Sequence, residues 1–181
     1  IGTDALSTNV LGSRSVAIGS SALNVQNPAT AVSMYNVAIG NDAGAAVTTG
    51  THNTLIGGES GDLLTTGTYN VGVGAASLGA SAAASTTGDH NTALGSDSLG
   101  KITTGDDNIG IGSSALLNIT TGSNNTAVGR SAGTFATTAA GSTFVGHNAG
   151  LAVTTGVRNT IMGAFAGDAL TDADFNTAIG Y

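Results

Sequence analysis

The chain has 181 residues, a net charge of −7, no cysteine, 40% hydrophobic residues and only 4% aromatics. Four Lys and Arg cannot form the basic patch that a nucleic-acid partner requires. The lack of cysteine excludes disulfides and thiolate metal sites, and no apolar run reaches the roughly 20 residues that cross a bilayer. The apolar residues are mostly small or aliphatic, with 29 Gly among them, and they recur periodically, so a thin, ordered core is expected rather than disorder.

Taken in chain order, one pentapeptide recurs. It stands at Ser15-Val16-Ala17-Ile18-Gly19, Asn36-Val37-Ala38-Ile39-Gly40, Asn53-Thr54-Leu55-Ile56-Gly57 and Asn70-Val71-Gly72-Val73-Gly74. It returns from Asn91, Asn108, Asn125, Ser142, Asn159 and Asn176. Its closing Gly falls at 2, 19, 40, 57, 74, 95, 112, 129, 146, 163 and 180, in eight steps of 17 and two of 21. No linker interrupts the series. Residues 1–181 therefore read as a single continuous repeat array, expected to be an excerpt of a longer chain.

With the Asn as position 1, position 2 is Val, Ile or Thr and position 4 is always apolar, from Ile18 to Ile179. This β-branched pattern, closed by Gly, predicts a short strand. Positions 2 and 4 share one strand face and position 3 the other. The larger aliphatics predict that positions 2 and 4 line the interior. The small residues of position 3 (Ala17, Ala38, Gly72, Ala93, Gly110, Ala127 and Ala178) would then face outward as a docking surface, with Phe144 and Ile161 among them.

Position 8 is always small, position 9 is Gly or Leu, and these read as part of a second short extended segment. Position 12 is often apolar, as in Val47, Leu64, Ile102, Ile119, Val153 and Leu170. Thr-Thr-Gly follows, as at Thr48-Thr49-Gly50 and Thr120-Thr121-Gly122, and is expected to be a turn whose Gly supplies positive φ. Both four-residue insertions, within 24–35 and 79–85, fall after position 9, so they map to one corner of a stacked coil. A 17-residue unit cannot bury its own apolar side, but stacked units can. The prediction is all-β: a parallel β-solenoid or β-roll of about ten 17-residue turns. The Asn would form a ladder at a corner, bonding to one another and to turn backbone.

The pentapeptide followed by a small residue, as in Ser15–Gly19 with Ala22 and Asn36–Gly40 with Ala43, resembles the head repeats of YadA-like trimeric autotransporter adhesins. The Thr-Thr-Gly arrays are also similar to repeats of phage tail fibres and other bacterial surface fibres. The resemblance implies a left-handed roll, a homotrimer, and an extracellular or cell-surface location (or a virion fibre) with attachment to matrix or host surfaces. The family's heads commonly use a repeat near 14 residues, so the corner here should be longer. No binding motif carries over.

Catalytic chemistry finds little footing. His52 and His90 both occupy position 17, a repeat corner, and His147 stands apart. Gly72-Val73-Gly74 and Gly110-Ile111-Gly112 look like phosphate-loop fragments but are the repeat with Gly at position 3. Asp89, Asp106, Asp107, Asp172 and Asp174 lie before the Asn and suit Ca²⁺ by type, yet several repeats lack them, so solvated corners are the expectation. Asn118-Ile119-Thr120 and Asn124-Asn125-Thr126 match the N-glycosylation pattern, which matters only in a eukaryotic secretory source. Of two adjacent Thr only one faces outward from a strand, so the other is expected to serve corner backbone.

No catalytic, cofactor-binding or metal-binding residue is assigned, and no enzyme activity, cofactor or membrane insertion is expected. The leading expectation is a non-enzymatic structural and adhesive rod, homotrimeric or homopolymeric, with a host-surface, matrix or glycan ligand. Two alternatives are a filament subunit, and an ice- or carbohydrate-binding solenoid using the Thr ranks.

Overall fold

A computed structural model describes residues 1–82 and 84–181. The chain is a β-solenoid of about ten turns, with no helix among the described residues. Strands β2 (Val16–Ile18), β4 (Val37–Ile39), β5 (Thr54–Ile56), β6 (Val71–Val73), β7 (Thr92–Leu94) and β8 (Ile109–Ile111) stack in chain order. They continue with β9 (Thr126–Val128), β10 (Thr143–Val145), β11 (Thr160–Met162) and β12 (Thr177–Ile179) to complete one ten-stranded parallel sheet. Position pairs with like position throughout, for example Val16↔Val37 and Thr143↔Thr160. The four-residue insertions therefore leave the strand register untouched. The first insertion adds a small second sheet, β1 (Gly12–Ser13) with β3 (Val32–Ser33).

The inside and outside of the strand are the reverse of the sequence expectation. Position 3 is the core: Ala38, Leu55, Ala93, Ala127, Phe144 and Ile161 are fully buried. Positions 2 and 4 face out, and every strand of the ten-stranded sheet except β12 has a buried centre between less buried ends. The reason is the narrowness of the coil. Positions 8, 9 and 12 also point inward, and Ala22, Leu23, Leu99, Leu116, Ile102 and Ile119 are all fully buried. Leu23, Leu78, Leu99 and Leu116 at position 9 already occupy the space beneath the strand, so only Ala or Gly fits above them. Where position 3 is large, position 9 is Gly: Leu55 with Gly61, Phe144 with Gly150, Ile161 with Gly167. A Cβ on Gly61 would lie 2.7 Å from Leu55 Cδ2, and one on Gly167 3.0 Å from Ile161 Cδ1. Core volume is thus traded within one turn, as close packing requires.

The segment after the strand is a turn rather than a second extended piece. Positions 7 and 9 both take positive φ, as in Asp42 and Gly44, Ser114 and Leu116. The third left-handed corner is position 17, occupied by Tyr35, His52, Tyr69, His90, Asp107 and Asn124 among others. The Gly of Thr-Thr-Gly is not left-handed; it is small because a Cβ on Gly105 would collide with the Gly122 carbonyl of the next turn.

The Asn ladder is present and carries the corner. Asn53, Asn70, Asn91, Asn108 and Asn125 each donate their backbone N–H to the side-chain oxygen of the Asn one turn before, at 2.9–3.1 Å. Each amide nitrogen donates to the carbonyl that opens the following corner, as Asn53 Nδ2 to Gly67 O at 2.9 Å and Asn125 Nδ2 to Ala139 O at 2.7 Å. Ser142 keeps the chain going: its N–H donates to Asn125 Oδ1 and its Oγ accepts from Asn159 N. At the other end Gln26 Oε1 accepts from Ser15 Oγ and Asn36 Nδ2, filling the place of the Asn that Ser15 replaces.

Candidate interaction surface

With position 3 inside, the sheet shows solvent a flat face made of positions 2 and 4. Position 4 forms an unbroken aliphatic rank of Ile18, Ile39, Ile56, Val73, Leu94, Ile111, Val128, Val145, Met162 and Ile179. Ile18 is 41% exposed, Ile39 36%, Ile111 37% and Met162 45%. Beside it, position 2 is Val or Ile on four turns and Thr on six, the last four in succession. Neither rank contains a charged residue. An uncharged aliphatic stripe running the length of the sheet is unusual for a surface left in water. The small residues expected to form an outward docking axis, Ala17 to Ala178, instead lie beneath this face, on the inside of the coil.

The first Thr of each pair serves the backbone. Thr48, Thr103, Thr120 and Thr137 donate their hydroxyls to the next turn's carbonyl at 3.1–3.2 Å. Of the pair, the second rank, Thr49, Thr66, Thr104, Thr121, Thr138 and Thr155, is the exposed one. A single rank lacks the two-dimensional array that a flat Thr surface offers.

Three of the five acidic corner residues have backbone partners, while Asp172 Oδ1 accepts from the Thr171 hydroxyl at 3.1 Å. Asp89 Oδ1 accepts from Thr68 N–H at 2.6 Å, Asp106 Oδ1 from Asp89 N–H at 2.8 Å, and Asp174 Oδ1 from Val157 N–H at 2.8 Å. They cap the turn below them rather than gathering round a common centre. Among the described residues no group of three or more His, Asp or Glu is placed to hold a metal ion. Among the described residues no helix is long and apolar enough to cross a membrane.

His52 and His90 belong to a column of stacked rings. Tyr35, His52, Tyr69 and His90 occupy position 17 on successive turns, and their rings stack with centroids 4.9, 4.7 and 5.2 Å apart. Arg14 closes the column, its guanidinium 5.4 Å from the Tyr35 ring centroid. The parallel in-register stacking makes the column inevitable, because like positions sit about 4.8 Å apart. A run of aromatic residues at one repeat position was the available signal. His147 packs apart from these, edge-on to Phe165 at 5.0 Å. Asn118 of the first glycosylation pattern is engaged through its amide, which donates to Thr134 O at 2.8 Å, whereas Asn124 is exposed.

One carboxylate stands in a poor environment. Burial, then the charges of Glu59 and Asp42, push Asp62 up from the ordinary 3.8 to about 6. Its Oδ1 is buried without a hydrogen-bond partner. Comparison of the chain with family models, with curated proteins and with solved structures gives no match.

Proposed function

We propose that this chain is a rod segment of an oligomeric surface fibre, non-enzymatic and extracellular, that spaces and displays attachment sites. The observation that carries the reading is the aliphatic rank on the flat sheet face. A second copy suits that face better than an unrelated partner, because only another solenoid repeats its side chains at the same rise of about 4.8 Å. Ladder then meets ladder in register along the whole rod. The similarity of the pentapeptides to trimeric adhesin heads supports three parallel chains around this face. The backbone-capping role of the corner carboxylates supports a structural rather than a chemical task.

Light scattering after size exclusion tests the proposal. The expected mass is three chains, and Ile111→Lys with Val128→Lys, both on exposed positions, is expected to give one folded chain. A single-chain mass for the unaltered protein overturns the assembly, and an open-ended distribution replaces the closed oligomer with a filament.

A further inference from the structure

About half a turn from the sheet face, a groove runs along the rod between two ranks of side chains. One wall is position 11 on four successive turns: Lys101, Asn118, Phe135 and Ala152. The other is the first-Thr rank, Thr120, Thr137 and Thr154. The volume is about 580 Å³, within the size range of small-molecule sites. Four turns make the groove roughly 15 Å long.

Three features give it a chemistry. Phe135 is 51% exposed, and the next residue of its rank, Ala152, is too small to cover its flank. Lys101 is the only lysine of a chain with net charge −7, and no Asp or Glu lines the groove. Its ammonium donates to Asn118 Oδ1 at 2.8 Å, and that amide is itself anchored on Thr134 O. The ammonium is therefore held at the groove with two of its three N–H groups free for a ligand. The Thr hydroxyls donate to backbone carbonyls and keep lone pairs that can accept.

We propose that this groove binds an acidic oligosaccharide. The apolar C–H face of a pyranose ring lies on Phe135, its hydroxyls donate toward the Thr rank, and a uronate or sialate carboxylate pairs with Lys101. An aromatic platform beside a lone cation suits this ligand better than a lipid chain, which has no use for the ammonium, or a peptide, for which the groove offers no free strand edge. The site lies away from the sheet face, so it stands whether or not the rod oligomerises.

The test is calorimetric titration of the unaltered protein with trigalacturonate and with sialyllactose, using lactose as the neutral control. At least one acidic sugar is expected to bind tenfold or more tightly than lactose. Phe135→Ala is expected to abolish binding of both classes. Lys101→Gln is expected to bring the acidic sugar down to the level of lactose. Both side chains are solvent-facing, and circular dichroism with thermal melting checks that each variant keeps the fold. No binding of either acidic sugar, equal binding of lactose, or acidic binding that survives Lys101→Gln overturns the proposal.

Discussion

At Gly129 a single hydrogen decides whether two turns can stack. Its φ is +136°, and an added Cβ would lie 2.5 Å from the Gly146 carbonyl oxygen of the next turn. The same geometry holds at Gly19, Gly40, Gly57, Gly74, Gly95 and Gly112, which is why the residue closing the pentapeptide never varies. Gly129→Ala combines backbone strain with a clash and should cost at least about 3 kcal/mol in chemical denaturation. Gly58 has no positive φ and nothing within 4 Å of an added Cβ. Gly58→Ala should be neutral or stabilising by less than about 1 kcal/mol, and equal losses at the two sites would refute the stacking argument. Asp62 gives a pH signature. Its folded-state pKa of about 6 lies above the ordinary 3.8, so folding favours the protonated form. The resulting stabilisation is fully present below about pH 3.8 and is lost as pH rises through about 6. Melting temperature should fall between about pH 4 and about pH 6 in the unaltered chain, and Asp62→Asn should flatten that slope and raise stability at neutral pH. A slope unchanged in Asp62→Asn would assign it elsewhere.

At the scale of one turn, the strand and the bend opposite it share a fixed volume. Leu55→Ala alone should open a cavity and cost about 2–4 kcal/mol. Gly61→Leu alone should overpack the same space and cost about 1–3 kcal/mol. The left-handed conformation at Gly61 is no barrier, because Leu78 holds φ 60° at the same position. The double variant reproduces the Leu-under-small arrangement of Ala93 with Leu99, and should recover at least half of the summed loss. Strict additivity in the double-mutant cycle would refute the exchange. This pairing is also the part of the fold least legible in the sequence. The period, the strand, the register and the Asn ladder all follow from the repeat itself. Alternation says that positions 2 and 4 oppose position 3 but not which of them faces inward, and large aliphatics outside are the less common answer. The coincidence of Leu55, Phe144 and Ile161 with Gly at position 9 carries that information, since two residues trade size only if they share space. The outward stripe could be named from the sequence but not placed, and the Phe135 groove depends on a three-dimensional neighbourhood that no pentapeptide announces.

At the scale of the whole rod, the mass expected for the assembly follows from a face with no charge on it. Association through such a face should persist in 1 M NaCl, where the Debye length falls to about 3 Å. It should strengthen in sulfate, which favours burial of apolar surface. Dissociation by NaCl would mean that the corner charges, and not the aliphatic rank, hold the copies together. The groove should respond in the opposite sense, because the pairing of Lys101 with a carboxylate is weakened by screening. The two surfaces can therefore be separated by salt alone.

The corner ladder has a genetic consequence. Each Asn accepts only from the turn after it, and each strand pairs only with like positions. A gene that gains or loses one whole repeat by slippage or unequal recombination therefore encodes a chain whose remaining bonds are already complete. Codons lost from a strand break that turn's match to both of its neighbours, whereas the two longer turns show that codons added at the outer corner are absorbed there. Reach can drift by whole repeats over generations while side-chain chemistry stays fixed, and the position of any one attachment groove along the rod becomes a heritable variable.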